Sequence, residues 1–428
     1  MPRVPVNSLS AAIFRIMFFA AMVFESLRYL SKGWIRPLFV DPGYFFRFPL
    51  IPLDLPRLSE AAATCMFVTL AAAATLAAVG IWQRLSSLIV AFLLTYLFLY
   101  DAAYSLLLNH LYLLVIVAWI LALCPQSRLL TLRLGKTPRA TSTDAPDLAM
   151  YLLRFQILVV YFYAGVAKVN GHWLSGRPLA IWLAPLGLAS MAQSMAWAGL
   201  ALDLALPFLL LMPRTRPVAV LAAIIFHTLN SQLFHIGVFP VVAIGMTLLF
   251  LKGDWLARFL PQKWLQASTT SKDFTRKHAP LSPVTLALAC LFVLIQIALP
   301  MRPWFYPGDS NLTEEGRFFS WRMMSTKKTG AVSFTLVNSD SYQTATWDPH
   351  RDLTELQINS MATQPELARQ YAHHVAEVVE ASEHFRPLVK VSMGIKMNGG
   401  PEVQILDSTR DLASEPFSLH HYDWIVAP

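Results

Sequence analysis

The stretch Tyr161–Trp173, YFYAGVAKVNGHW, closes a run that reads as apolar helix and yet carries a lysine. Upstream lies Leu148–Val160, LAMYLLRFQILVV, so Lys168 comes late in about five helical turns. A charged ammonium at the centre of a membrane helix costs about 2.5–3.5 kcal/mol on insertion scales. Residues three or four apart share a helix face. The lysine therefore lies on a seam with Arg154, Leu158, Tyr161, Gly165 and His172. Two readings fit the residues: a lysine snorkelling to the interface from a helix end, or an amine in a dry pocket, left neutral by desolvation and able to act as a base.

The rest of the chain makes the membrane setting general. Of 428 residues, 55% are hydrophobic and only 14% charged, against about 25% charged in an average soluble protein. Spans need about 20 mainly apolar residues. Candidates are 10–30, 59–82, 86–107, 109–124, 149–170, 190–211, 217–234, 236–251 and 282–300. This predicts a polytopic α-helical membrane protein with about nine transmembrane helices. Two closely spaced pairs leave the count at eight or nine. Arg15 interrupts the first run and no small-residue cleavage site follows, so that run reads as a retained helix rather than a signal sequence.

The net charge of +8 assigns to cytoplasmic loops and anionic lipid, with no nucleic-acid motif to claim it. Arg128, Arg133, Lys136 and Arg139 share one loop. Lys252, Arg258, Lys263, Lys272, Arg276 and Lys277 share another, and Arg214 and Arg216 a third. Nine spans with a cytoplasmic amino terminus place all three inside. Arg28, Lys32 and Arg36 of the first loop violate the rule, and the stretch GWIRPLFVDPGYFFRFP (33–49) of that loop reads as interfacial with aromatic anchors. The carboxyl-terminal region then faces the periplasm or lumen. Cys65, Cys124 and Cys290 sit in or beside apolar runs and read as packing thiols.

Composition changes near Arg302, which divides the chain into a transmembrane domain, 1–300, and an extramembrane α+β domain, 301–428. Residues 330–348 and 387–407 read as two β-hairpins, the second turning through Asn398-Gly399-Gly400. Between them 363–385 reads as a helix with Thr363 as N-cap and Glu366 three residues on.

Two further polar clusters fall inside apolar segments. In FHTLNSQLFHIG (226–237), His227, Asn230, Ser231, Phe234 and His235 share a helical face. They either bond between helices or line a polar cavity. In LYDAAYSLLLNHLYLL (99–114), Asn109 and His110 either form a self-bonded turn or join that cavity, with Asp101 nearby. Carboxylates are few within the predicted spans, and Asp101 and Asp203 are the candidates for an intramembrane role. A base among amide and imidazole donors suits an aromatic or quinone-like ligand that must lose a proton. The pairs His373-His374 and His420-His421 lack metal-ligand spacing and read as surface histidines, so no metal is expected. Asn311-Leu312-Thr313 is a glycosylation sequon.

RFQILVVYFYAGVAKVNGHWLSG, FHTLNSQLFHIGVF and SWRMM occur in that order, with the Asn-His pair upstream. The set resembles the vitamin K-dependent γ-glutamyl carboxylase family and its bacterial relatives with the HTTM domain. The resemblance implies that vitamin K hydroquinone is oxygenated by O2 to its epoxide. A base strong enough to remove the γ-proton of a glutamate side chain then arises, and CO2 adds to the glutamate. It further implies that Lys168, in the AGxxKxxxxW pattern, deprotonates the hydroquinone. Asn109, His110, His227, Asn230, Ser231 and Gln232 would hold the cofactor. Trp321, Met323 and Met324, with Arg317 and Arg322, would lie at the glutamate site, where the alternative is plain packing against the membrane helices. The partners implied are a glutamate-containing protein or peptide, membrane lipid and a lipid-soluble quinone.

The chain departs from the animal enzymes after Met324. A histidine expected there is replaced in STKKTG, the carboxyl-terminal region is shorter, and the cysteines of an interdomain disulfide are missing. Propeptide-directed processive carboxylation is therefore not expected. Quinol epoxidation without glutamate carboxylation, and a non-enzymatic quinone binder, are the competing readings.

Overall fold

The computed structural model describes residues 8–101, 108–124, 127, 129–132, 147–261 and 281–426. Its helical part contains α1 (Ser8–Ser31), α2 (Glu60–Val79), α3 (Gln83–Leu99), α4 (Leu108–Leu123), α5 (Asp147–Ala167), α6 (Ala192–Leu211), α7 (Arg216–Leu233), α8 (Phe239–Leu248) and α9 (Pro283–Ala298). Five stretches are long and apolar enough to cross a membrane: Leu9–Ser31, Glu60–Val79, Leu148–Ala167, Ala189–Leu211 and Pro283–Phe305. A sixth exists if Phe239–Leu248 and Gly253–Phe259, bent by 114°, form one span.

The expected nine spans are not reached among the described residues. Helices α3 and α4 run for 17 and 16 residues, at the short limit for a bilayer core. Helix α7 has length enough, but His227, Asn230, Ser231 and Gln232 dilute its apolar character. Most residues of the charge argument, namely Arg128, Arg133, Lys136, Arg139, Lys263, Lys272, Arg276 and Lys277, lie outside the described residues.

Helix α1 packs on α2 and α8 at the centre of the bundle. Its Arg15 is 1% exposed, and its guanidinium donates to the carbonyls of Ser127, Leu129 and Leu130. A buried cation is tolerable where carbonyl oxygens replace its lost water. This explains how the arginine that interrupts the first apolar run is accommodated.

The carboxyl-terminal part is a four-stranded antiparallel sheet in the order β2-β1-β3-β4, with β1 Lys328–Val337, β2 Thr344–Trp347, β3 Leu388–Met397 and β4 Glu402–Gln404. Both expected hairpins are present. The central pair, β1 and β3, runs in register from Lys328↔Met397 to Val337↔Leu388. Val389, Val391, Met393 and Ile395 alternate onto the buried face, as strand geometry requires. Helix α10 (Glu355–Met361) precedes α11 (Pro365–Glu383), which covers that face with Leu367, Tyr371, Val375 and Val379. At the second turn Asn398 and Gly399 both have positive φ, 54° and 72°, a conformation that Asn and Gly adopt at least cost.

Thr363 does not cap α11. Pro365 takes the first helical position, so the residue before it, Gln364, is held extended and becomes the N-cap without a side-chain bond. Thr363 turns back to the carbonyl of Ser360. The capping box belongs instead to α10, through Thr354 and Gln357.

The sheet domain docks on the helices through residues 43–48. Backbone N–H groups of Gly43 and Tyr44 donate to Asp352, and that of Arg47 to the Gln370 side chain. Gln357 donates to Asp101, 2.7 Å, and to the carbonyl of Tyr44. Phe46 and Phe48 are buried in this contact. The segment expected to be interfacial thus divides its aromatic side chains: Tyr44, Phe46 and Phe48 meet the sheet domain, while Trp34, Phe39 and Phe45 pack on Tyr29, Phe67 and Tyr100 of the helical part. His374 stacks on Tyr44 at 4.3 Å and is half-buried, as is His373, so this pair is not the surface pair expected. His420 and His421 are exposed.

Candidate functional site

Helix α5 ends at Ala167, so Lys168 sits in the first turn beyond it, its backbone N–H donating to the carbonyl of Gly165. The chain then breaks because Asn170 caps the short helix Gly171–Leu174 with its side chain, accepting from the Trp173 N–H at 2.9 Å. His172 belongs to that short helix and leaves the α5 seam. The Trp173 indole is fixed by donation to the carbonyl of Ala196, 2.8 Å, and its ring centroid lies 5.2 Å from Lys168 Nζ.

Lys168 is 7% exposed. Its ammonium nitrogen hydrogen-bonds to a carboxylate oxygen of Asp203, on α6, which is 2% exposed. The helices can approach this closely because position 165 has no side chain. A Cβ there would lie 2.7 Å from Leu204 Cδ2 and 3.1 Å from the Leu204 backbone nitrogen. One turn before Gly165, the hydroxyl of Tyr161 is 2.7 Å from His227 Nε2 on α7. His227 and His110 both pack edge-on against Phe239.

These groups border a cavity of about 500 Å³, within the usual size of a small-molecule site. Its walls are mainly apolar. Helices α5, α6 and α7 contribute most of them, and Met323 and Met324 close one side from the sheet domain. Ile225 and Leu229 line it while being more than half exposed, so the cavity reaches the outer, lipid-facing surface of the bundle. His110 Nε2 and His227 Nδ1 are buried with no hydrogen-bond partner among the described residues. Buried polar atoms without partners carry a desolvation cost that a ligand can relieve. An apolar cavity with few polar atoms fits an aromatic ligand bearing oxygen at its rim.

Of the predicted site residues, Lys168, His110, His227, Asn230, Met323 and Met324 border this cavity, as does Phe234 from the 226–237 cluster. Asn109, Ser231, Gln232, Trp321, Arg317 and Arg322 lie apart from its lining. Asn109 is partly buried, and its Oδ1 has no hydrogen-bond partner among the described residues. Helix α7 ends at Leu233, so Phe234 and His235 fall outside the helix and do not extend the predicted face. Ser231 bonds back to the carbonyl of Thr228 and is exposed, as is Gln232. Trp321 is fully buried and stacks on Tyr112 at 5.2 Å. Arg317 pairs with Glu314 at 2.5 Å, and Arg322 donates to Asn311 Oδ1 at 3.0 Å. Asn311, the sequon residue, is 7% exposed. Among the described residues no group of three or more His, Cys, Asp or Glu side chains could hold a metal ion.

Two side chains of the site were not among the predicted site residues: Asp203 and Tyr161. Asp203 had a signal. It is a lone carboxylate in an apolar run, and a lone buried amine needs one. Tyr161 stood on the Lys168 seam, but a tyrosine in a span has an anchoring role to fill as well.

Comparison with known families covers nearly the whole chain. The HTTM domain model matches residues 4–255. The model for the lumenal domain of vitamin K-dependent gamma-carboxylase matches residues 281–428, which takes in α9 together with the sheet domain. No solved structure matches the chain. With more than half of its length in the first match and the carboxylase's own lumenal domain in the second, the chain belongs to the vitamin K-dependent gamma-carboxylase family.

Proposed function

We propose that this protein is an integral membrane carboxylase coupling oxygenation of vitamin K hydroquinone to γ-carboxylation of glutamate in a protein or peptide. The observation that carries this reading is Lys168 at the wall of a mainly apolar cavity that also holds two histidine nitrogens without partners. Reduced vitamin K, when bound, supplies the strong base that glutamate carboxylation with O2 and CO2 requires. The chain's residues have simpler tasks. Lys168 takes a proton from the hydroquinone, general base work that needs an amine within hydrogen-bond reach. His110, His227 and Asn230 hold the ring oxygens, and the apolar walls keep water from returning a proton to the deprotonated glutamate before CO2 adds. Met323 and Met324 place the sheet domain against the same cavity, which supports binding of the glutamate peptide on that side. The sheet domain is assigned to the periplasmic or lumenal face.

The test uses purified protein in detergent with reduced vitamin K, oxygen, labelled CO2 and a short glutamate peptide. Label uptake and epoxide are expected together, and both are lost in Lys168→Ala, with partial recovery on adding a small amine. Turnover unchanged in that variant overturns the assignment of the base. A second reading, epoxidation without glutamate carboxylation, is favoured by one observation: Arg317 and Arg322, the candidates for a substrate carboxylate, are already bonded to Glu314 and Asn311. Epoxide without label would establish it. Binding of the quinone with neither product would leave a carrier.

A further inference from the structure

We infer that Asp203 is a positioning residue for the Lys168 base, an inference that rests on the function proposed above. A lysine side chain has four rotatable bonds and, at the mouth of a cavity, no reason to keep one direction. Here the direction is fixed from two sides. The Asp203 carboxylate accepts from Nζ, and the Trp173 ring lies 5.2 Å from the same atom. Asp203 is itself delivered by the close contact of α5 and α6 at Gly165. The result is a buried amine–carboxylate pair, both members of which border the cavity.

The pair has a chemical consequence. When Lys168 acts, an O–H bond of the ligand breaks, an N–H bond forms on the unprotonated Nζ, and the electron pair stays with the oxygen. The new ammonium is then held against a carboxylate in a medium of low dielectric, where the attraction is far stronger than in water. The extra proton leaves the lysine for solvent before the next turnover, and Asp203 stays a carboxylate throughout. This is the division of labour in which a buried carboxylate orients a base and stabilises its protonated form.

The experiment compares wild type with Asp203→Asn and Asp203→Glu by two readouts. The first is the rate at which a small apolar acylating reagent labels Lys168, followed by mass spectrometry of detergent-purified protein at neutral pH. The second is epoxide turnover. In Asp203→Asn the labelling rate should rise about tenfold, because the ammonium has lost its partner, while kcat falls about 100-fold with KM for the quinol within about twofold. Asp203→Glu should keep the slow labelling and recover part of kcat. The loss of kcat at a nearly constant KM, with recovery in Asp203→Glu, is what a merely structural ion pair would not give, since loosening the site would raise KM as well and a longer carboxylate would not restore the packing. Labelling unchanged in Asp203→Asn overturns the inference. Should that variant not fold, wild type carries the test: Lys168 labelling as fast as the exposed Lys327 overturns the inference, and slower labelling, raised to the Lys327 rate in unfolded protein, supports it. The labelling arm reads the pair whether or not epoxide is made, so an absence of turnover in wild type counts against the carboxylase alone.

Discussion

The hydroxyl of Tyr161 and Nε2 of His227 share a hydrogen bond of 2.7 Å between α5 and α7, in the wall of the cavity that holds Lys168. It ties α5 to α7 at the level of the proposed base. His227 is 3% exposed, and its other nitrogen has no partner among the described residues. Tyr161→Phe would leave the imidazole with neither nitrogen satisfied, at a cost of about 1–3 kcal/mol. The expected outcome is a lower melting temperature in detergent and a raised KM for the quinol, with kcat little changed. An unaltered melting temperature would show that the bond contributes nothing net.

Gly165 sets the spacing on which the Lys168–Asp203 pair depends. In Gly165→Val the new side chain meets Leu204, including its backbone nitrogen 3.1 Å from the Cβ position. A backbone atom cannot swing aside, so α5 and α6 must separate. Overpacking of this kind costs about 1–3 kcal/mol. Epoxide formation should fall more than tenfold, since 1 Å of misplacement can cost about 100-fold. Thermal unfolding and turnover, measured together, check it. Full turnover would show that the helices can part without disturbing the pair.

The membrane class, both hairpins and the cavity-facing Lys168, His110, His227 and Met324 could be read from the sequence because each depends on local pattern or a long motif. What could not be read depends on partners far away in the chain. The Lys168–Asp203 pair joins positions 35 apart in different segments, and the Arg15 site needs the carbonyls of Ser127, Leu129 and Leu130. Helix ends were the other failure. Asn170 and Pro365 set boundaries a few residues from where periodicity alone put them, which removed His172 from the seam and Thr363 from its cap. The count of nine spans is not reached among the described residues because α3, α4 and α8 are short and α7 carries polar side chains. Apolar character says that a helix is buried in something, and protein serves as well as lipid.

In the sheet domain Glu314 takes a left-handed conformation, φ 64°, and meets both Arg317 and Lys328. Burial opposes its charge, but the two cations outweigh burial and hold the carboxyl below its ordinary range. A carboxyl lowered on folding contributes stability that is present above its unfolded value, about 4.3, and is lost as pH falls through the lower folded value. The melting temperature should therefore fall on the acid side of that value. In Glu314→Gln the protein should be less stable by about 3–5 kcal/mol at neutral pH, because two buried cations lose their counter-charge, and the acid limb should be shallower. Melting curves between pH 3 and 7 for both proteins test this. A wild-type limb that Glu314→Gln leaves unchanged would assign acid unfolding to other carboxylates.

Trp321 separates packing from recognition at the place where the sheet domain meets the cavity. Its ring is fully buried and stacked on Tyr112, and its indole nitrogen has no partner among the described residues. Trp321→Phe removes a buried N–H that has nothing to bond, together with part of the bicyclic ring, and leaves a small cavity. Stability should fall by about 1–2 kcal/mol, less than for full truncation, and KM for the glutamate peptide should stay within about twofold. Trp321→Ala should cost about 3–5 kcal/mol and loosen the docking of the whole domain. The neighbours behave differently because they border the cavity: Met323→Ala and Met324→Ala should alter KM for quinol or peptide with a smaller loss of stability. Peptide KM and thermal unfolding across the four variants decide the matter. A large rise in peptide KM in Trp321→Phe, with stability retained, would make the indole a substrate contact after all.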